Sequence, residues 1–264
     1  MCQAVCDQKS NALSTLPSLL AALELKGAVV TIDAMAGHPE IAQQLSEAGA
    51  DYILALKANE KETLSMVSAH LRGLSGQLDH PPTGVEPAPT LHPPEIMPCT
   101  WPDSCDVVVT EEINRGRYEE RTVIATSVGD WWPKSLLWYG VQSVICVIRR
   151  TVRQRHETDV PKFEVHYYLS SLPPVAALVG PLIRSHWSIE NGCHHTLDVT
   201  FGEDHCQVRD VTAAHNLTNL REMALKLLKD HPSNGSVKSK RKRAALSPAF
   251  RSELMASIRT KFDA

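Results

Sequence analysis

No stretch of these 264 residues is long and apolar enough to span a bilayer, so a membrane-embedded protein is not expected. Met1 to Ser10 lacks the charged start and apolar stretch of a secretory signal, and the cytoplasm is the expected compartment. A charge excess is lacking too: 27 Lys and Arg against 30 Asp and Glu leave −3. That excludes a globally basic protein, but an acidic chain can still bind nucleic acid where its cations cluster. A disulfide framework is excluded by cysteines that are odd in number and scattered, at Cys2, Cys6, Cys99, Cys105, Cys146, Cys193 and Cys206. Cys193-His194-His195 and His205-Cys206 lack the close Cys-x-x-Cys and His-x3-His pairs of structural zinc sites. There is no internal repeat.

What is present is a chain whose hydrophobic fraction, 43%, supports a buried core. Pro17 to Leu25 reads as a short helix, with Pro17 at its first position, a stripe of Leu16, Leu20 and Leu23, and Gly27 as the stop. Ala28 to Ile32 is a continuous apolar, β-branched run, as expected of a strand buried on both faces, and it ends at Asp33. A helix over Pro39 to Ala48 follows, then a second buried strand, Tyr52 to Leu56, which delivers Lys57. Asn59 can cap a helix running to about Leu71. This alternation predicts a parallel α/β sheet. Gly73 to Pro102 is rich in proline, glycine and histidine and reads as a linker. Val107 to Thr110, Tyr118 to Thr126, Val141 to Arg150 and Phe163 to Leu169 read as antiparallel strands with one wet face. Helical pattern returns over Ala176 to about His195 and again over Thr212 to Lys229. The basic run Lys238-Ser239-Lys240-Arg241-Lys242-Arg243 is either a phosphate-binding element or a solvated disordered tail.

Two carboxylates stand out. Asp33 is the last residue delivered by a buried parallel strand, the end where open α/β sheets bind ligands and metals; the alternative is a helix-capping aspartate. Glu190 lies in Arg184-Ser185-His186-Trp187-Ser188-Ile189-Glu190-Asn191. On a helix, His186, Trp187, Cys193 and His194 share its face at three- and four-residue offsets, which suits an active-site wall. The alternative is an amphipathic helix with a surface glutamate.

Val30-Thr31-Ile32-Asp33-Ala34-Met35 followed by Ala50 to Lys57 resembles the second-aspartate region of the H-repeat-associated insertion-sequence transposases, of the DDE type. His186 to Asn191 and Leu197-Asp198-Val199-Thr200-Phe201 resemble their third-carboxylate helix. Tyr167 to Leu172 and Ala224 to Leu228 match as well, in order along most of the chain. The resemblance implies an α/β fold: an RNase H-like sheet flanked by helices, with a β-rich insertion between the second and third catalytic carboxylates. It divides the chain into a partial RNase H-like core at 1–72, a linker at 73–105, the insertion at 106–172, C-terminal core helices at 173–230 and a basic tail at 231–264.

The resemblance also implies DNA strand cleavage and transfer at insertion-sequence ends, on two divalent ions, Mg²⁺ in chemistry, held by hard oxygen ligands. Asp33 and Glu190 would be the catalytic and metal-binding second and third carboxylates, brought within two-metal distance of each other. DNA contacts are expected from Lys57, Arg184, His186, Trp187 and Arg209. The partner is DNA, with a homodimer as a further expectation and a nucleoid-associated cytoplasmic location. The strand carrying the family's first aspartate has no counterpart here, because Asp7 matches a later position, and the family's N-terminal helical region is missing as well. Ala36-Gly37-His38 also departs from the family pattern, and His186 stands where the broader signature has arginine. The expectation is a protein that is catalytically incomplete as given. The alternatives are a metal-dependent nuclease in which Asp198 or Asp204 replaces the missing ligand, or a non-catalytic DNA-binding remnant.

Overall fold

A computed structural model describes residues 12–74, 104–114, 117–153 and 161–262. Residues 1–11, Asp7 among them, and 75–103, most of the expected linker, lie outside the described residues. The chain separates into two compact units, Met1–Arg184 and Ser185–Ala264.

The first unit is built on one mixed sheet of six strands in the order β1-β2-β6-β5-β4-β3. Strands β1 (Val29–Ile32) and β2 (Asp51–Leu56) are parallel, joined across helix α2 (Pro39–Glu47). Helix α2 stops where the sequence signalled: Gly49 takes a left-handed φ of +72°, and the N–H groups of Gly49 and Ala50 return to the carbonyls of Ser46 and Leu45. Strands β3 (Cys105–Asn114), β4 (Arg117–Ser127), β5 (Ser143–Arg153) and β6 (Lys162–Ser170) are antiparallel to one another, and β6 pairs antiparallel with β2. The antiparallel strands therefore continue the parallel pair in a single sheet.

That join is secured by two buried serines. Ser170 Oγ donates to the Tyr52 carbonyl at 2.8 Å and accepts from Leu172 N–H at 3.0 Å. Ser171 Oγ accepts from Tyr52 N–H at 2.9 Å and donates to Asp51 Oδ1 at 2.8 Å. Because side chains alternate across a strand, Tyr52, Leu54, Leu56, Tyr167, Leu169, Val144, Cys146, Ile148 and Ile124 share one face. There they pack with Leu20, Ile41, Leu45, Val67 and Leu71 from α1 (Ala12–Ala21), α2 and α3 (Lys61–Leu74). On the other face Gly180 of α4 (Ala176–Ile189) lies so close to Val123 that an added Cβ would sit 3.3 Å from its Cγ2.

Three local expectations are corrected. Helix α1 spans Ala12–Ala21, so Pro17 is inside it rather than at its first position. Packing of Leu16 and Leu20 into the core outweighs the hydrogen bond that proline cannot make. Asn59 does not cap α3: a 3-10 turn, Ala58–Glu60, precedes that helix, and Asn59 Nδ2 donates to the Gly37 carbonyl at 3.3 Å. The helix expected to run regularly to His195 ends as an α-helix at Ile189 and widens into π turns over Glu190–His194 and Leu197–Phe201.

In the second unit, α5 (Val211–Asp230) is capped by Asp210, whose side chain accepts from Ala213 N–H at 2.8 Å. Residues read as a possible disordered tail form α6 (Val237–Leu246) and α7 (Pro248–Phe262). Leu228, Phe250 and Leu254 make their common core.

Candidate functional site

Strand β1 ends at Ile32 and hands Asp33 to the carboxyl end of the parallel pair. Asp33 occupies the N-cap position of a 3-10 turn, Ala34–Ala36, yet its side chain makes no capping bond. Instead Asp33 Oδ1 accepts from Lys57 Nζ at 3.1 Å. Lys57 leaves β2 at the same end of the sheet, so the two parallel strands place an acid and a base together. Both side chains are about half exposed, at 51% and 55%.

The loop after Asp33 is pinned both to β2 and to the Ala58–Glu60 turn beyond it. Gly37 is buried against the strand: a Cβ there would meet the Ala55 carbonyl oxygen at 2.9 Å. Asn59 holds the Gly37 carbonyl, and His38 Nδ1 lies 2.7 Å from Glu60 Oε1. Glycine at position 37 thus has a steric reason, since a side chain there would meet the strand.

Sequence reasoning missed the charged groups that continue across the same face of the sheet. His166 precedes Tyr167, which pairs with Leu56, so it stands opposite Lys57. Burial lowers its pKa, the Lys57, Arg149 and Arg121 charges act in the same direction, and Glu164 opposes them. Arg149 lies between Glu119, at 3.6 Å, and Glu164, at 3.5 Å, and Arg121 also pairs with Glu119. The signal was present as alternate positions on β4, β5 and β6, but only the strand register shows that they adjoin.

The remaining expected residues are placed as follows. Arg184 donates to Glu112 Oε2 at 2.6 Å, which lowers the Glu112 pKa and offsets the arginine's charge. His186 and Trp187 are half-buried on α4. Arg209 is exposed just before α5. The backbone of Glu190 opens the first π turn, and its side chain lies outside the described residues. A π turn holds more residues per turn than an α-helix, so Glu190–His194 departs from the regular α period on which the three- and four-residue offsets rest. Asp33 belongs to the first unit and Glu190 to the second.

A family model for the transposase DDE domain matches residues 1–227. The chain belongs to the DDE transposase family. Its relatives include YncI of Escherichia coli O157:H7, named as a transposase, 31% identical over 95% of this chain and 58% of that protein. YhhI of Escherichia coli K12, named as H repeat-associated and as a transposase, is 28% identical over 95% of this chain and 60% of its own length. YbfL of the same strain, whose name states no activity, has the same identity and coverage, 28%, 95% and 60%. The chain thus spans about three fifths of the length of the curated relatives it matches. The DDE fold is RNase H-like, in keeping with a six-stranded sheet flanked by helices.

DDE domains use divalent metal in general. Asp33 offers the hard oxygen such an ion takes. Among the described residues, however, no group of three or more His, Cys, Asp or Glu side chains converges on a metal position. One half-exposed carboxylate already engaged by an ammonium group is not a divalent-cation site, so the described donors do not fit the ion.

Proposed function

We propose that this chain carries the second and third carboxylates, Asp33 and Glu190, of an insertion-sequence transposase acting on the DNA phosphodiesters at the element's ends. The observation that carries this reading is the Asp33–Lys57 pair at the carboxyl end of two parallel strands, in a chain matched by the DDE family over residues 1–227. Strand ends of this kind present ligand-binding groups because the backbone stops pairing there and the side chain is left at the rim. Lys57 neutralises Asp33 and is placed to turn to a phosphate oxygen when DNA arrives.

In this reading Asp33 and Glu190 would be two of the ligands of Mg²⁺ in a complete site, supplying the hard oxygens such an ion takes. Strands β3 to β6 are the β-rich insertion between the two carboxylates, supported by their antiparallel pairing beside a parallel pair. Lys57, Arg184, His186, Trp187 and Arg209 line the DNA, although Arg184 must then exchange Glu112 for phosphate. A homodimer in the cytoplasm, at the nucleoid, is the proposed working form. No helix among the described residues is long and apolar enough to cross a membrane.

The resemblance puts the first aspartate on a strand that no part of this sequence matches, so the reading includes inactivity in cleavage by these residues alone. The test is binding and nicking of an element-end duplex by the purified chain, with and without Mg²⁺. Salt-dependent binding without cleavage is expected. Absence of duplex binding overturns the reading. Mg²⁺-dependent cleavage abolished by Asp33→Ala overturns the inactivity and points to Asp198 or Asp204 as a substituted ligand.

A further inference from the structure

Helix α6, Val237–Leu246, contains five cations and no acid. It lies beyond the residues matched by the family model, which end at 227. One of the five, Lys240, is only 8% exposed. Its Nζ donates to the carbonyls of Leu228 and His231, at 3.1 and 2.7 Å, and so closes the C-terminal end of α5. Helix ends leave such carbonyls without partners, and a cation is the group that suits them.

Lys240 shares its side of α6 with Val237 and Ala244, which pack against the Leu228, Phe250 and Leu254 core. Positions three and four apart lie on one face of a helix. With 237, 240 and 244 turned inward, Lys238 and Lys242 are turned outward and exposed, and Arg241, also exposed, stands at the flank. Arg241 is held in place, its guanidinium 5.2 Å from the centre of the Phe201 ring and bonded to the Thr200 carbonyl. Arg243 lies 4.1 Å from the centre of the Phe250 ring. None of the five cations forms an ion pair with a carboxylate among the described residues.

We propose that the outward face of α6, formed by Lys238 and Lys242 and flanked by Arg241, is a docking surface for the sugar–phosphate backbone of duplex DNA. The proposal rests on the transposase reading and extends it to a surface outside the family match. Each part of the arrangement suits that partner. The buried Lys240 fixes the rotation of the helix, so the exposed cations form a patch of fixed geometry. Lys238 and Lys242 stand one above the other, about 6 Å apart along the axis. Unopposed cations release counterions from DNA on contact, which favours binding without reading sequence. A lipid surface suits the helix less well, because an interfacial helix turns an apolar face to the bilayer, and the apolar positions Val237 and Ala244 are turned into the protein.

The test is a salt series of duplex binding by fluorescence anisotropy, using the full chain, a mixed-sequence duplex and the double variant Lys238→Gln/Lys242→Gln. Both side chains are exposed, and circular dichroism of the variant should match the original. The slope of log affinity against log salt should become shallower by about 1.8, at about 0.9 for each phosphate no longer neutralised, and to the same extent on every duplex sequence. If the original chain binds duplex and the variant keeps its slope, the α6 surface is wrong and the transposase reading stands. If the original chain binds no duplex at any salt, both fall. Lysine-dependent binding to anionic vesicles without duplex binding assigns the face to a lipid surface instead.

Discussion

Replacing Gly37 by alanine isolates the contact that sets the loop behind Asp33. The added Cβ would stand 2.9 Å from the Ala55 carbonyl oxygen. That oxygen belongs to β2, which is bonded to β1 on one side and β6 on the other, so it cannot swing aside as a side chain can. The loop has to lift. Overpacking of this kind costs about 1–3 kcal/mol. At roughly 2–4 °C of melting temperature per kcal/mol for a unit of this size, Gly37→Ala should melt about 2–12 °C lower. Lifting the loop also strains the Asn59–Gly37 and His38–Glu60 contacts, so Asn59→Ala should cost less in the Gly37→Ala background than alone. Gly27 is the control, with φ +75° and nothing within 4 Å of a Cβ. Its strain lies in the backbone alone, so Asn, which tolerates left-handed conformations, should recover part of the loss at position 27 but none at 37. Thermal unfolding followed by circular dichroism reads both. A Gly37→Ala protein within about 0.5 kcal/mol of the original, or rescue by Asn at 37, refutes the argument.

Ser170→Ala should destabilise the first unit by about 1–3 kcal/mol in urea unfolding, because it leaves the Leu172 N–H without its acceptor in a buried position; a loss below that range shows that the backbone finds other partners. Burial holds the His166 pKa below its ordinary value, so as pH falls through about 6.5 the unfolded chain takes up the proton first and stability declines. His166→Gln should flatten that decline in melting temperature below pH 6.5, and an unchanged slope there rules out His166 as its source.

The parallel pair was legible in the sequence because its strands are uninterrupted apolar runs ending at charged residues, and Asp33 and Lys57 followed as residues at one end of it. Strand β6 was legible as a strand, but its pairing with β2 was not. Ile53 and Ser170 are neighbours across 117 positions of sequence, and no local pattern encodes a register over such a distance. The grouping of His166, Arg149 and Arg121 was lost with it. At Glu190 the pattern was read on a regular α period, whereas the backbone there forms π turns. Helix α6 was hidden by composition. Lysine is the residue least expected inside, so a run holding Lys240 reads as solvated, although that lysine is what ties the helix to α5.

Strand β2 holds the acid–base pair to the rest of the first unit. On one side it runs parallel to β1, which ends at Asp33; on the other it runs antiparallel to β6. Its side chains at 52, 53 and 54 are almost wholly buried, so both faces of the sheet close on it. The two serines at the end of β6 fix the level at which the halves meet, through the backbone and side chain of β2's first residues. Lys57 is at the opposite end of the same strand, where the β1–β2 register sets its level relative to Asp33. A one-residue slip between β2 and β6 would put side chains that now share a face on opposite faces, separating Leu54 from Leu169 and Ala55 from Tyr168. Ser170 and Ser171 therefore tie the antiparallel strands to the strand that carries Lys57, through the alignment of backbone rather than through any contact with the acid.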